Sequence, residues 1–295
     1  MYFLLAIHFH PKTEFERNWI IMSLCLAAAS GKGGVGKSAF IANLAAVLAQ
    51  RGNRVIIIDA DIGLRSQDAL LALENRVVYD LIDLADGDCL PDQAILVHDS
   101  IPGLHLLPAA QFARAKKLNP KHFRNIIDDL HNSYDYILID SPAGIERGLR
   151  NVLNAGVDTV ILVTNPDDIS VRSAERAKQI IEEKKITDIR LLVNRVDQKL
   201  VRSGEMMSAR TVSEVLDLPL LGEIPEDQTV YRSMLLHHLF IDYDCESRNA
   251  ILRICSRLQD RNIPFPAYGS RKESLWSRFR STYKPLKEVS PIDDH

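Results

Sequence analysis

The run Ser30-Gly31-Lys32-Gly33-Gly34-Val35-Gly36-Lys37-Ser38 gathers glycines, two lysines and a hydroxyl into one short segment. From Gly31 to Ser38 it satisfies G-x-x-x-x-G-K-[ST], the pattern of a loop that cradles phosphates. Glycines let backbone N–H groups converge on phosphate oxygens without a Cβ in the way. A helix starting near Lys37 adds its positive end. Lys37 is then suited to the outer phosphates and the Ser38 hydroxyl to Mg²⁺. Chance yields this pattern in about one chain per hundred of this length. A glycine turn that binds nothing is the plain alternative.

Three aspartates extend the chemistry. Asp59 and Asp61 lie in IIIDADIGLR, and Asp140 lies in YILIDSPAGIE. Phosphoryl transfer needs carboxylates to hold Mg²⁺ with its waters, and a group to place the attacking water. Taken alone, an aspartate after a strand is as readily a helix cap or turn residue. In the same chain as the loop, the catalytic reading is favoured. Lys32 poses a separate question, because one lysine at the end of such a loop suffices to hold a phosphate. A solvated loop lysine is its simplest reading.

These residues need a scaffold. Apolar runs read as strands at Leu24–Ala29, Val55–Ile58, Tyr136–Ile139, Val160–Thr164, Arg190–Val193 and Leu220–Ile224, with a lesser candidate at Gly103–Leu107. Helical spacing marks Ser38–Gln50, Pro120–Leu130 and Ala250–Gln259. Continuous apolar strands separated by helices predict an α/β fold, a mostly parallel twisted sheet with helices on both faces. Ligands collect at the carboxyl ends of such strands. The Ser30 loop, Asp59, Asp61, Asp140, Asn165 and Asn194 all fall at those ends.

Composition is that of an ordinary globular protein: 295 residues, 46% hydrophobic, 25% charged and a formal net charge of -3. That charge gives no ground for a general nucleic-acid binder. The cysteines, Cys25, Cys89, Cys245 and Cys255, form no C-x-x-C pair and read as thiols of a reducing compartment. No apolar run approaches the length of about 18 residues that a spanning helix needs. Residues 1–21 lack the basic start of a signal peptide and read as a dispensable extension before Met22, with a short membrane-touching segment as the alternative.

The loop with a lysine near each end resembles the deviant Walker A loop of the MinD/ParA group of ATPases. DADIGLRSQD, LENRVVYDLIDL, LLPAAQ, DYILIDSPAGIE, TNPDDISVRSAER and GEIPED resemble its MinD branch, the ATPases that place the bacterial division site. The likeness runs from about Met22 to Asp227 and implies a P-loop NTPase domain over residues 22–261. It implies ATP and Mg²⁺ as ligands. Gly31, Lys32, Gly33, Gly34, Val35, Gly36, Lys37, Ser38 and Ala39 would bind the nucleotide, with Asn194 and Pro225 on the adenine side. Ser38, Asp59 and Asp140 would serve the metal, Asp61 the attacking water, and Pro142–Glu146 a second switch.

The resemblance also gives Lys32 a role, that of reaching across a dimer interface to the partner's triphosphate. An ATP-bound homodimer follows, together with a MinC-like division inhibitor, a MinE-like or polar topology factor, and no specific nucleic acid. Two departures stand out. Ala39 replaces a second small hydroxyl, and SMLLHHLFIDYDCES over Ser233–Ser247 replaces a glycine-proline turn. His237 and His238 within it read as residues that hold no metal. Asn194-Arg195-Val196-Asp197 superficially resembles the guanine-reading N-K-x-D, which leaves GTP as a rival ligand.

Beyond Arg261, prolines and a glycine mark a linker over 262–269. In residues 270–284, Leu275, Trp276 and Phe279 share one helical face, flanked by arginines and lysines. That is a basic amphipathic helix suited to an anionic membrane surface, and residues 285–295 read as a disordered tail. A helix packed on the domain is the alternative. The expected protein is therefore a cytoplasmic ATPase, peripheral on the inner face of the cell membrane. A flagellar-number or partitioning-type relative, or a nucleotide-gated tether with little hydrolysis, are the rival readings.

Overall fold

The computed structural model describes residues 23–110, 118–145, 147–259 and 263–265. The proposed N-terminal extension, the proposed helix carrying Leu275, Trp276 and Phe279, the tail and Glu146 lie outside the described residues.

Eight strands form one sheet in the order β3-β4-β2-β5-β1-β6-β7-β8. They are β1 Leu24–Ala29, β2 Val55–Asp59, β3 Leu96–Val97, β4 Leu104–Leu107, β5 Tyr136–Asp140, β6 Thr159–Thr164, β7 Asp188–Val196 and β8 Leu220–Pro225. All neighbours pair in parallel except β3 with β4. The helices are α1 Lys37–Gln50, α2 Gln67–Leu70, α3 Leu81–Asp86, α4 Pro91–Ala94, α5 Pro120–Leu130 and α6 Arg147–Leu153, then α7 Asp168–Glu183, α8 Gln198–Ser203, α9 Ala209–Leu216, α10 Gln228–Leu235 and α11 Glu246–Leu258. The parallel α/β architecture expected from the sequence is confirmed.

Alternation along the strands divides the core into two layers. On β1, Cys25, Ala27 and Ala29 join the layer that holds Phe123, Leu149, Val171 and Val212. Leu26 and Ala28 join the layer of Phe40, Leu44, Leu48, Ile251 and Ile254. Alanine is a weak strand former, yet β1 lies between β5 and β6 at the centre of the sheet, where context overrides propensity. Helix α1 is buried nearly all round, as an apolar helix between sheet and α11 must be. Its polar Asn43 is satisfied: Nδ2 donates to Ala39 O at 2.7 Å, and Oδ1 accepts from Ile241 N at 3.1 Å.

Element ends differ from the sequence reading where tertiary contacts decide them. Strand β4 starts after Gly103, whose φ of 82° and close approach to Asn53 O leave no room for a regular strand. Strand β7 extends beyond Arg190–Val193 because it pairs on both sides, with β6 and β8.

Candidate active site

The carboxyl ends of β1, β2, β5 and β7 face one cavity of about 990 Å³. It is lined by the loop from Gly33 to Ala39, by Asp61 and Leu64, by Asn194 and Arg195, and by Pro225 through Gln228. Tyr231, Met234, His237 and Phe240 close its far side.

The loop leaves β1 at Ser30, whose Oγ donates to Lys32 O at 3.0 Å, and enters α1 through Gly36. Gly36 has φ 93°, a left-handed conformation that a side chain resists. A Cβ on Gly31 would lie 1.8 Å from Ser173 O, so the loop is pressed against α7 at a point only glycine fits. The loop's two lysines part ways. Lys37 is buried, with Nζ 3.6 Å from Asp140 Oδ1. Lys32 is exposed.

Asp59 and Asp140 end neighbouring strands in register. Asp59 is fully buried, yet accepts three backbone donors: Asp61 N on Oδ1, and Ser66 N and Gln67 N on Oδ2, each at 3.0 Å. It therefore folds the 61–67 loop back over the strand ends. Burial and the Asp140 carboxylate push Asp59 up to about 7, against the pull of those donors. Asp140 Oδ2 accepts from Gln67 Nε2 at 2.8 Å. Asp61 is half-buried; its carboxyl is raised by desolvation, lowered by Lys37 and raised by Asp140.

This donor set fits a hydrated divalent cation. Two buried carboxylates stand side by side, and Asp140 Oδ1 accepts no hydrogen bond. Lys37 offsets their charge in part. Ser38 opens the same wall. A magnesium ion with its waters would supply the charge and donors that these carboxylates lack.

Asn194 is engaged with the protein itself. Its Nδ2 donates to Val35 O at 2.7 Å, and its Oδ1 accepts from Arg195 N at 2.9 Å. It thus braces the phosphate loop against the end of β7. Pro225 lines the cavity beside it. The atypical Ser233–Ser247 stretch finishes α10, turns at His237 with φ 53°, and passes through the short helical turn Phe240–Asp242. His237 Nδ1 contacts Ala69 O and His238 Nδ1 contacts Tyr243 Oη, so the two imidazoles point to different partners.

Sequence reasoning overlooked Gln67, which joins Asp59, Asp140 and Ser38 O. No local pattern marks it, since its importance comes from a loop that folds back.

A doubly covered parallel sheet, with a G-x-x-x-x-G-K-S loop between its central strand and a buried helix, defines a P-loop nucleoside triphosphatase. The ParA family model, described as NUBPL iron-transfer P-loop NTPase, matches residues 22–258. The septum site-determining protein MinD of Synechocystis is 38% identical over 261 residues, covering 88% of this chain and 98% of its own length. The MinC:MinD cell division protein complex of Aquifex aeolicus matches with a TM-score of 0.78 at 33% identity, over 84% of this chain and 100% of the other. Pyrococcus horikoshii MinD complexed with Mg-ADP gives 0.72 at 26% identity, over 82% and 100%. The chain belongs to the MinD family of ATPases within the ParA group, and it is an ATP-hydrolysing enzyme.

Proposed function

We propose that the chain is the switching ATPase of division-site placement, with Mg²⁺ and ATP clasping two copies face to face. The contrast between the lysines carries this reading. Lys37 is buried beside Asp140, whereas Lys32, on the same loop, faces outward. A triphosphate held by one copy presents negative charge at the mouth of the cavity. An outward lysine from a facing copy cancels it. Leu64, Ile145 and Ile169 are exposed apolar residues on the segments around this loop, a rim that a second copy would cover.

Lys37 holds the outer phosphates, with backbone N–H groups of Gly33 to Ser38 around them. Ser38 Oγ ligates the metal, and Asp140, backed by Asp59, orients its waters. Magnesium, when bound, stabilises charge on the phosphoryl oxygens. Asp61 accepts a proton from, or orients, the attacking water, as its raised carboxyl suits. Pro225 and Asn194 border the base, Asn194 chiefly by bracing the loop.

A MinC-like inhibitor binds the ATP-bound pair, and a MinE-like or polar factor sets its location. The aromatic basic helix, with Leu275, Trp276 and Phe279, attaches the pair to the inner face of the cell membrane. Among the described residues no helix is long and apolar enough to cross a membrane.

Light scattering on the full chain tests the proposal. With Mg²⁺ and ATP, an Asp61→Asn protein slow in hydrolysis doubles its mass. Adding Lys32→Ala keeps ATP bound and leaves the mass single. Dimerisation undiminished by Lys32→Ala refutes the cross-subunit role. Negligible turnover by the unmodified chain with any partner would favour the tether.

A further inference from the structure

Among the described residues, five buried side-chain polar atoms lack a hydrogen-bond partner: Ser23 Oγ, Ser66 Oγ, Gln67 Oε1, Asp140 Oδ1 and Asn165 Oδ1. Ser66 lines the cavity, and the fully buried Gln67 and Asp140 cluster with it around Asp59, which accepts from both Ser66 N and Gln67 N. Buried polar atoms are costly to leave unpaired, so such a cluster marks where donors from outside the chain are expected.

Gln67 is fully buried at the start of α2. The orientation of its amide is set by its neighbours. Nε2 donates to Ser38 O at 3.1 Å and to Asp140 Oδ2 at 2.8 Å. A flipped amide would put an acceptor against two acceptors. Oε1 is therefore the atom left over. The backbone N–H of the same residue donates to Asp59 Oδ2 at 3.0 Å. One glutamine thus ties both strand-end carboxylates to the first turn of α1, beside the Ser38 hydroxyl.

We propose that Gln67 is a positioning residue of the magnesium site. Its amide N–H groups hold Asp140 by Oδ2, so that Oδ1 is left to Lys37 and to the waters of the ion. Its Oε1 supplies a further acceptor to the same shell. Because Gln67 also holds Ser38 O, the spacing between the hydroxyl ligand and the carboxylate is fixed by a single side chain. A purely structural glutamine would support the fold equally with or without the ion. This inference deepens the proposed function and rests on it.

The test uses the full chain and a fluorescent ADP analogue, titrated in chelator and then across Mg²⁺ concentrations. Gln67→Leu removes both the donor and the acceptor at similar volume; Gln67→Met does the same with a more adaptable chain. The expected result is unchanged affinity in chelator and a Mg²⁺ midpoint raised by about tenfold or more, the usual effect of removing an outer partner of a metal ligand. A midpoint equal to that of the unmodified chain in either folded variant overturns the proposal. So does an equal loss of affinity with and without Mg²⁺, or loss of all binding in both variants, since each makes Gln67 a folding residue only. If the unmodified chain itself shows no tightening with Mg²⁺, the underlying function fails instead.

Discussion

Lys37 Nζ and Asp140 Oδ1 lie 3.6 Å apart, with side-chain exposures of only 6% and 0%. The lysine is the cation set against two buried carboxylates, because Asp59 pairs with Asp140 across β2 and β5. Removing it strands both. Lys37→Met is expected to abolish nucleotide binding and to destabilise the free protein by about 3–5 kcal/mol. Adding Asp140→Asn should restore part of that loss, because the uncompensated charge goes with it. Urea unfolding of the two single variants and the double gives the coupling; strict additivity would deny the pair.

Asp61 sits half-buried at the cavity wall, close enough for Lys37 and Asp140 to act on its carboxyl. It makes none of the loop-folding bonds that Asp59 makes with its side chain. Asp61→Asn should therefore leave the fold and ATP binding unchanged, and slow hydrolysis by about 10²–10⁴-fold. Single-turnover phosphate release measures this directly. Turnover at the unmodified rate would move the water-placing role elsewhere.

Asn194 tests how the base is read. Both its polar side-chain atoms are taken by backbone partners, Val35 O and Arg195 N. A brace of the loop serves every nucleotide, whereas a base reader discriminates. Asn194→Ala is expected to weaken ATP and GTP alike, by about tenfold for one lost hydrogen bond. Competition between the two nucleotides supplies the readout. A loss confined to ATP would make Asn194 a direct adenine contact.

Much of this site was legible because its chemistry is local in sequence. The loop and the aspartates at strand ends announce themselves by residue type and spacing. The strands show because buried parallel strands are apolar throughout, as in Val55–Ile58. What stayed hidden depends on distant segments. The role of Gly31 is visible only once α7 places Ser173 O against it. Gln67 matters because a loop returns to β2, and the base-side wall forms because His237 reaches Ala69. Helix α7 was not among the helices read from the sequence, because much of its buried stripe is made of small residues, Ser170, Ala174 and Ala177.

Two partly buried histidines weaken the fold as pH falls. His98 Nδ1 accepts from Ser100 N at 3.2 Å and Ile101 N at 3.1 Å. Protonating that nitrogen breaks both bonds. Desolvation lowers the His98 pKa from its usual 6.5, with Asp99 and Asp242 opposing and Arg76 assisting. Burial lowers His105 as well. A lowered histidine favours the folded state at pH above its unfolded value, and that contribution falls away as pH drops below it. The histidine contribution therefore declines as pH falls from 7 towards 5, while the raised Asp59 and Asp61 carboxyls contribute with the opposite sign over the same range. His98→Asn, whose carbonyl can accept the same N–H groups, should flatten the decline. Urea midpoints across that range decide it; an unchanged slope would remove His98 as a contributor.

The segment after the ATPase domain combines basic and aromatic side chains. Arg271, Lys272, Arg278, Arg280 and Lys284 surround Leu275, Trp276 and Phe279. One short helix of this kind holds a bilayer weakly through a few apolar side chains and screened charge. Two helices on a clasped pair act together, since the first contact raises the effective concentration of the second to about millimolar. Membrane binding should then require ATP. Deleting Ser270–His295 is expected to preserve ATP turnover and dimerisation, and to abolish sedimentation with anionic vesicles. Trp276→Glu should weaken sedimentation without changing turnover, and added salt should weaken it for the intact chain. Vesicle binding that survives the deletion would transfer membrane attachment to the domain itself.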